Sequence, residues 1–405
     1  MRAGSILDPA LEQASETQRA QRQRQRLMET VAHARAHSPW FRRTLPAQVD
    51  RLEQIPITRK DDLPALQEKE LPFGGLLGVE IGRLQRIFAS PGPIFDPQGA
   101  GEDFWRFRMA FAAAGFRKGD VVINSGSYHL TPLGFMLDNA ARSLGCVVIP
   151  AGVGQTDLQV RVAAGTRATG YLGTPSFLYT LLKRGRELGT PLSIEVAFVT
   201  AEMLPESLRA ELERDFGVRV LQGYGTADLG LLAYECTEKQ GMHLHPDCIV
   251  EVLDLETGAM AAPGQPGQIV CTIFEEAYPL LRFATGDIGA MSPSLPCACG
   301  RTAPKLAGLL GRVGDAVKVK GMFIRGGEIE KALKAFPGIG RFQAIVTRDQ
   351  HQDHLEYVLE LLPGAAVDVA LVADALREAV KVRGEVRAGP VPENAKRIDD
   401  RRVWK

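Results

Sequence analysis

The chain has 405 residues, 45% of them hydrophobic and 24% charged, which suits a globular protein of about two or three domains. Its 48 Lys plus Arg balance 48 Asp plus Glu, so composition carries no footprint of a nucleic-acid or anionic-membrane partner. No run reaches the roughly 18 apolar residues of a membrane span, and Met1–Pro9 lacks a signal-peptide core, so the expected compartment is the cytoplasm. Six cysteines in a reducing compartment point to metal rather than to a disulfide framework.

Residues 10 to 37 read as helix, with the basic QRAQRQRQR face solvated, and the polar segment IPITRKDDL (Ile55–Leu63) punctuates the chain after it. Arg86–Pro97, RIFASPGPIFDP, is a candidate phosphate loop. Such loops present backbone N–H groups, hydroxyls and a lysine. Here Pro91, Pro93 and Pro97 have no N–H, Ser90 alone supplies a hydroxyl, and no lysine lies close behind. Taken alone, the segment is a stiff turn.

From about residue 103 helices alternate with short apolar strands. The helices are expected at Phe104–Ala114, Leu133–Leu144, Asp157–Thr166, Pro175–Leu188 and Pro205–Phe216. The strands are expected at Asp120–Asn124, Cys146–Pro150, Tyr171–Gly173, Glu195–Thr200 and Arg219–Tyr224. This pattern predicts an α/β fold with parallel strands and a binding crevice at their tips. After residue 248 the texture turns antiparallel, with strands at Ile249–Leu253 and Gly267–Phe274. Near residue 312 a small α+β unit begins, with strands Ala316–Lys320, Phe342–Thr347 and Glu356–Leu361 and helices Glu328–Phe336 and Val367–Val382.

Four segments carry candidate chemistry. LQGYGTADLG (Leu221–Gly230) is a glycine-rich strand exit whose Tyr224 ring can lie on a base and whose Asp228 can sit near Mg²⁺ or phosphate. PLLRFATGDI (Pro279–Ile288) places Asp287 after a buried strand, where it either accepts ribose hydroxyls or caps its own turn. GRVGDAVKVKGMFIRGGEIE (Gly311–Glu330) suggests a hairpin with its lysines on one face, either functional or an edge protected by Lys. Finally, Cys236, His243, Cys297 and Cys299 form a donor set for a closed tetrahedral Zn²⁺ site, with His245 as substitute for His243 and Cys248 as a competitor. Unrelated surface thiols are the plainer alternative. Cys146 and Cys271 read as buried strand residues.

In this order, and together with VVIPAGVG at 147–154, GTPSFL at 173–178, ECTEKQGMH and PCACGRTAPKL, these segments resemble the phenylacetate–CoA ligase family of adenylate-forming enzymes. The resemblance runs from His37 to Arg401. It implies an α/β fold with an AMP-binding-type domain at 1–311, β-rich from about 232, and a small mobile C-terminal domain at 312–405. It also implies ATP/AMP, Mg²⁺, CoA and a structural Zn²⁺. The partners it implies are an aromatic carboxylic acid and CoA, and it allows a homodimer. Residue by residue, it puts the ribose on Asp287 and Arg312, the adenine on Tyr224 with Glu202 beside the base, and the nucleotide along Gly223, Gly225, Thr226 and Ser90. Tyr128, His129 and Pro132 fall where the acyl pocket is built. Asp228 stands in place of a glutamate near the metal.

The chain departs from that family around the phosphates. The loop at 89–97 has lost all its hydroxyls but that of Ser90, Ala227 replaces a Ser or Thr, and Gly314 replaces the hinge aspartate. Ungapped matching puts Ala395 at the catalytic lysine, so that Lys396 serves only with a one-residue shift. Three readings therefore stay open: a ligase with a rearranged phosphate grip, a non-ligating relative that binds nucleotide or acyl-CoA, and an acyl transferase keeping only the thioester half-reaction.

Overall fold

The runs VVIN, GYLG and VAFV are almost uniformly apolar, as suits strands covered on both faces. In the computed structural model they form the centre of a parallel sheet. The structure describes residues 2–90, 94–293, 296–313, 316–320, 322–349, 352–392 and 395–402. The chain divides into two compact units, one of residues 1–204 and 209–310, the other of 205–208 and 311–405.

In the first unit the parallel strands lie side by side in the order Val147–Pro150, Val121–Asn124, Gly170–Gly173, Val196–Val199 and Arg219–Thr226. Helices Leu133–Ser143, Thr156–Gly165, Pro175–Glu187 and Glu206–Phe216 make the crossovers. The strand order reverses between Val121–Asn124 and Gly170–Gly173, and ligands of open α/β sheets gather beyond the carboxyl ends of strands near such a reversal. The same sheet continues through Gly230–Glu235, Met242–Leu244, Lys305–Arg312, Phe283–Met291, Gly267–Ile273 and Cys248–Leu253. The short strand Thr58–Arg59 joins in parallel beside Phe283–Ala284.

Two expectations need correction. Phe104–Ala114 is not one amphipathic helix. The helix is Arg108–Ala114 and is buried on every side from Met109 onward. Asp103 caps it, accepting from the N–H groups of Phe107 at 2.9 Å and Arg108 at 3.0 Å, and Arg106 takes a left-handed φ of 66° before it. The N-terminal helix likewise starts at Glu16, behind a capping box on Ser15, after a short separate helix Pro9–Glu12.

The second unit packs helices Gly326–Leu333 and Val369–Val380 on a sheet ordered Glu385–Ala388, Gln352–Leu361, Ile339–Asp349 and Ile398–Asp400. Val319, Ile329, Val346, Tyr357 and Leu376 lie in its core. The hairpin of Ala316–Val319 and Met322–Arg325 precedes them. Among the described residues, no helix is long and apolar enough to cross a membrane.

Candidate active site and metal cluster

The glycine-rich motif closes a strand, as its sequence suggests. Gly223, Tyr224, Gly225 and Thr226 are the last residues of strand Arg219–Thr226, which turns through Ala227–Leu229 into Gly230–Glu235. The turn requires glycine at 225, where a Cβ would stand 2.4 Å from the Gly230 carbonyl oxygen. Tyr224 is thereby fixed and buried, and its hydroxyl donates to Asp287 Oδ2 at 2.8 Å. Asp287 lies within strand Phe283–Met291 rather than beyond it. Burial, followed by the charge of Asp287, pushes the Tyr224 phenol well above its ordinary value, so it stays a donor. Tyr224 and Asp287, 63 residues apart in sequence, thus share one hydrogen bond at the sheet's tip.

Glu202 comes after strand Val196–Val199 and accepts from the Ser176 hydroxyl at 2.6 Å. Tyr128, after strand Val121–Asn124, donates to Asp138 Oδ2 at 2.9 Å and accepts from Asn124 Nδ2 at 2.8 Å, with its ring edge-on to Phe135. Pro132 is buried at the start of helix Leu133–Ser143, whereas His129 is exposed. These positions all lie beyond carboxyl ends of parallel strands.

The Arg86–Pro97 segment is a hairpin, with Arg86–Ser90 paired to Ile94–Gln98. Pro91, Gly92 and Pro93 lie outside the described residues. The Ser90 hydroxyl is spent on Asp96 Oδ2. Asp228 is engaged as well. Its Oδ2 accepts from Lys60 Nζ, with the Lys60 side chain 10% and the Asp228 side chain 1% exposed. A carboxylate held in this way does not fit direct coordination of Mg²⁺, which needs accessible oxygens. Sequence reasoning missed Lys60 and Asp96. Lys60 sits in a polar run that reads as solvated, and Asp96 stands in the Arg86–Pro97 segment, where a phosphate loop calls for donors and not for a carboxylate.

Arg312 ends strand Lys305–Arg312 and belongs to the second unit. So does Lys396, which is exposed and whose carbonyl accepts from Gln343 Nε2 at 3.1 Å. Gly314, Glu393, Asn394 and Lys405 lie outside the described residues.

At the other end of the first unit, the ligand atoms of Cys236, His243, Cys297 and Cys299 lie within 4.8 Å of one another. Cys236 Sγ is 3.7 Å from Cys297 Sγ, and Cys299 Sγ is 3.4 Å from His243 Nε2. A tetrahedron with Zn–S near 2.3 Å and Zn–N near 2.0 Å has S···S edges of about 3.8 Å and S···N edges of about 3.5 Å. The donor set therefore fits zinc. Burial pushes the His243 imidazole down to about 4, leaving it neutral and able to ligate, while its Nδ1 lies 3.3 Å from the Ala303 carbonyl oxygen. His245 is outside the cluster, its Nδ1 accepting from the Asp247 N–H at 3.1 Å. Cys248 is also outside, with its thiol on the His245 carbonyl at 3.3 Å. Sequence reasoning also missed the support beneath these loops. Arg301 Nε donates to Glu12 Oε2 at 2.6 Å, and their side chains are 3% and 0% exposed. This pair fastens the N-terminal helix Pro9–Glu12 to the cysteine loop.

Residues 108–272 match the family described as AMP-binding enzyme. The chain is similar to a phenylacetate-coenzyme A ligase of Thermus thermophilus, 32% identical over 364 residues, covering 84% of this chain and 80% of the relative. It is similar to a protein of the same name from Escherichia coli K12, 28% identical over 385 residues, covering 88% and 85%. Among solved structures, a 2-hydroxyisobutyryl-CoA ligase in complex with 2-HIB-AMP and CoA superimposes with a TM-score of 0.88 at 23% identity, covering 97% of this chain and 92% of that one. At that identity the likeness establishes the fold.

Proposed function

Since this chain belongs to the phenylacetate-coenzyme A ligase family, we propose that it is an acid–CoA ligase that forms AMP and acts on an aromatic carboxylic acid. An oxygen of the acid attacks the α-phosphorus of ATP and pyrophosphate leaves. The CoA sulfur then attacks the acyl carbon of the resulting acyl-adenylate, and AMP leaves. The observation that carries the reading is the hydrogen bond of Tyr224 to Asp287, which joins a strand-tip aromatic to a carboxylate in one rigid corner. In our reading the Tyr224 ring lies against adenine, Glu202 stands beside the base, and Asp287 receives the ribose hydroxyls. Gly223, Gly225 and Thr226 form the strand end along which the nucleotide runs. Tyr128 and Pro132 wall the acyl pocket, with His129 at its rim.

Adenylation gathers negative charge on the phosphates and the carboxylate, and fixed donors there contribute several kcal/mol to the transition state. Lys396 is the residue we assign to that charge. Mg²⁺ neutralises phosphate charge as part of the ATP complex.

Zn²⁺ is assigned to Cys236, His243, Cys297 and Cys299 as a structural ion that pins two loops, a role that fits their burial and spacing. A cytoplasmic location belongs to the same reading, which also allows a homodimer. The experiment is to supply ATP, CoA and a panel of aromatic acids and to measure AMP. Release of AMP with acyl-CoA supports the reading. Its absence with every acid gives precedence to a relative that binds nucleotide or acyl-CoA without ligating.

A further inference from the structure

Lys60 enters from a short helical turn, Lys60–Asp62, behind the strand Thr58–Arg59. Pairing with Phe283–Ala284 holds that turn beside the strand carrying Asp287. Its ammonium donates to Asp228, in the turn just after Tyr224 and Thr226. Asp96 comes from the strand Ile94–Gln98 and takes the Ser90 hydroxyl. Burial, then the charge of Asp228, pushes the Asp96 carboxyl well above the usual carboxylate range, which favours its neutral form. The group therefore contains one ammonium, one carboxylate and one neutral acid. Its charges cancel, the condition under which buried ions are tolerated.

A divalent ion at Asp228 would have to displace the ammonium from Oδ2, or sit beside it with an excess of positive charge and little water to screen it. Mg²⁺ also sheds its waters reluctantly, and the Asp228 side chain is only 1% exposed. We propose that Lys60 is the resident cation at the phosphate end of the nucleotide site, a fixed ammonium in the position from which a divalent ion would bridge Asp228 to phosphate. Mg²⁺ then enters only with ATP and takes no ligand from this carboxylate. The assignment rests on reading the region as the nucleotide site, but its test needs neither nucleotide nor turnover.

Mn²⁺, whose free concentration is read by electron paramagnetic resonance, is titrated into zinc-saturated protein without nucleotide. Wild type and Asp228→Asn should behave alike. Lys60→Gln removes the charge and shortens the side chain by one atom while keeping a polar end. It should bind one more Mn²⁺ than wild type, at least about tenfold more tightly than any wild-type binding, and adding Asp228→Asn should abolish the gain. Mn²⁺ held by wild type and released by Asp228→Asn would make Asp228 a metal ligand and overturn the proposal. A folded Lys60→Gln that binds no more than wild type would also overturn it, since the ammonium would then hold no cation's place. If Lys60→Gln does not fold, the comparison of wild type with Asp228→Asn decides alone. Failure to release AMP from any acid bears on the ligase reading and leaves this result standing.

Discussion

Replacing Asp228 and Asp96 by asparagine, one at a time, should have very different consequences. Asp228→Asn leaves the Lys60 ammonium without its carboxylate where the side chain is only 10% exposed. Removing one partner of a buried ion pair costs about 3 kcal/mol or more. Asp96→Asn replaces a neutral acid by a neutral amide of the same shape. The amide oxygen still accepts from Ser90, so the cost should stay below about 1 kcal/mol. The pH dependence separates the two variants further. Because the folded Asp96 carboxyl is raised above its unfolded value, its contribution is complete below the ordinary carboxylate range. That contribution is lost as pH rises through the folded value. Asp96→Asn should therefore flatten the loss of stability on the alkaline side, while Asp228→Asn should be weaker throughout. Urea unfolding monitored by tryptophan fluorescence measures both, since Trp40 and Trp105 lie in the first unit. Equal costs for the two variants would mean that Asp96 is ionised and that the charge count is wrong.

Purified protein should carry one zinc, and Cys297→Ser should lose it and unfold at lower temperature; elemental analysis without zinc removes the assignment. Asp287→Ala should weaken AMP more than any substitution in 89–97, and AMP should bind about as tightly as ATP. Calorimetry giving ATP a tenfold advantage, about 1.4 kcal/mol, contradicts this. Lys396→Ala should slow adenylate formation at least about a hundredfold, roughly 2.7 kcal/mol, while sparing thioester formation from a synthetic acyl-adenylate. A variant matching wild type in ATP-driven synthesis would mark Lys396 as a surface residue.

The parallel strands were legible because VVIN, GYLG and VAFV are short, apolar and bounded by turns. Phe104–Ala114 misled because its apolar residues resume after Arg106 and Arg108 as one helix would have them, and the left-handed φ of 66° at Arg106 is announced by no periodicity. The metal-binding residue types stood out through their close spacing, but His243 and His245 are two apart and share a strand parity. Their alignment separates them, with His243 in strand Met242–Leu244 between Tyr234 and Lys305 and His245 just past its end. The pairing of Lys60 with Asp228 joins residues 168 apart. A lysine in a polar run reads as solvated until the fold buries it. The Arg301–Glu12 pair, 289 residues apart, was hidden for the same reason.

The central claim is that a carboxylate oxygen of the acid attacks the α-phosphorus of ATP. It is tested most directly with an aromatic acid labelled with ¹⁸O in its carboxylate, incubated with protein, ATP and CoA, and with mass spectrometry of the products. An acyl-adenylate route predicts one ¹⁸O in the phosphate of AMP, with pyrophosphate unlabelled. Acyl-CoA accompanied by label in any other phosphate product, or by unlabelled AMP, would contradict it.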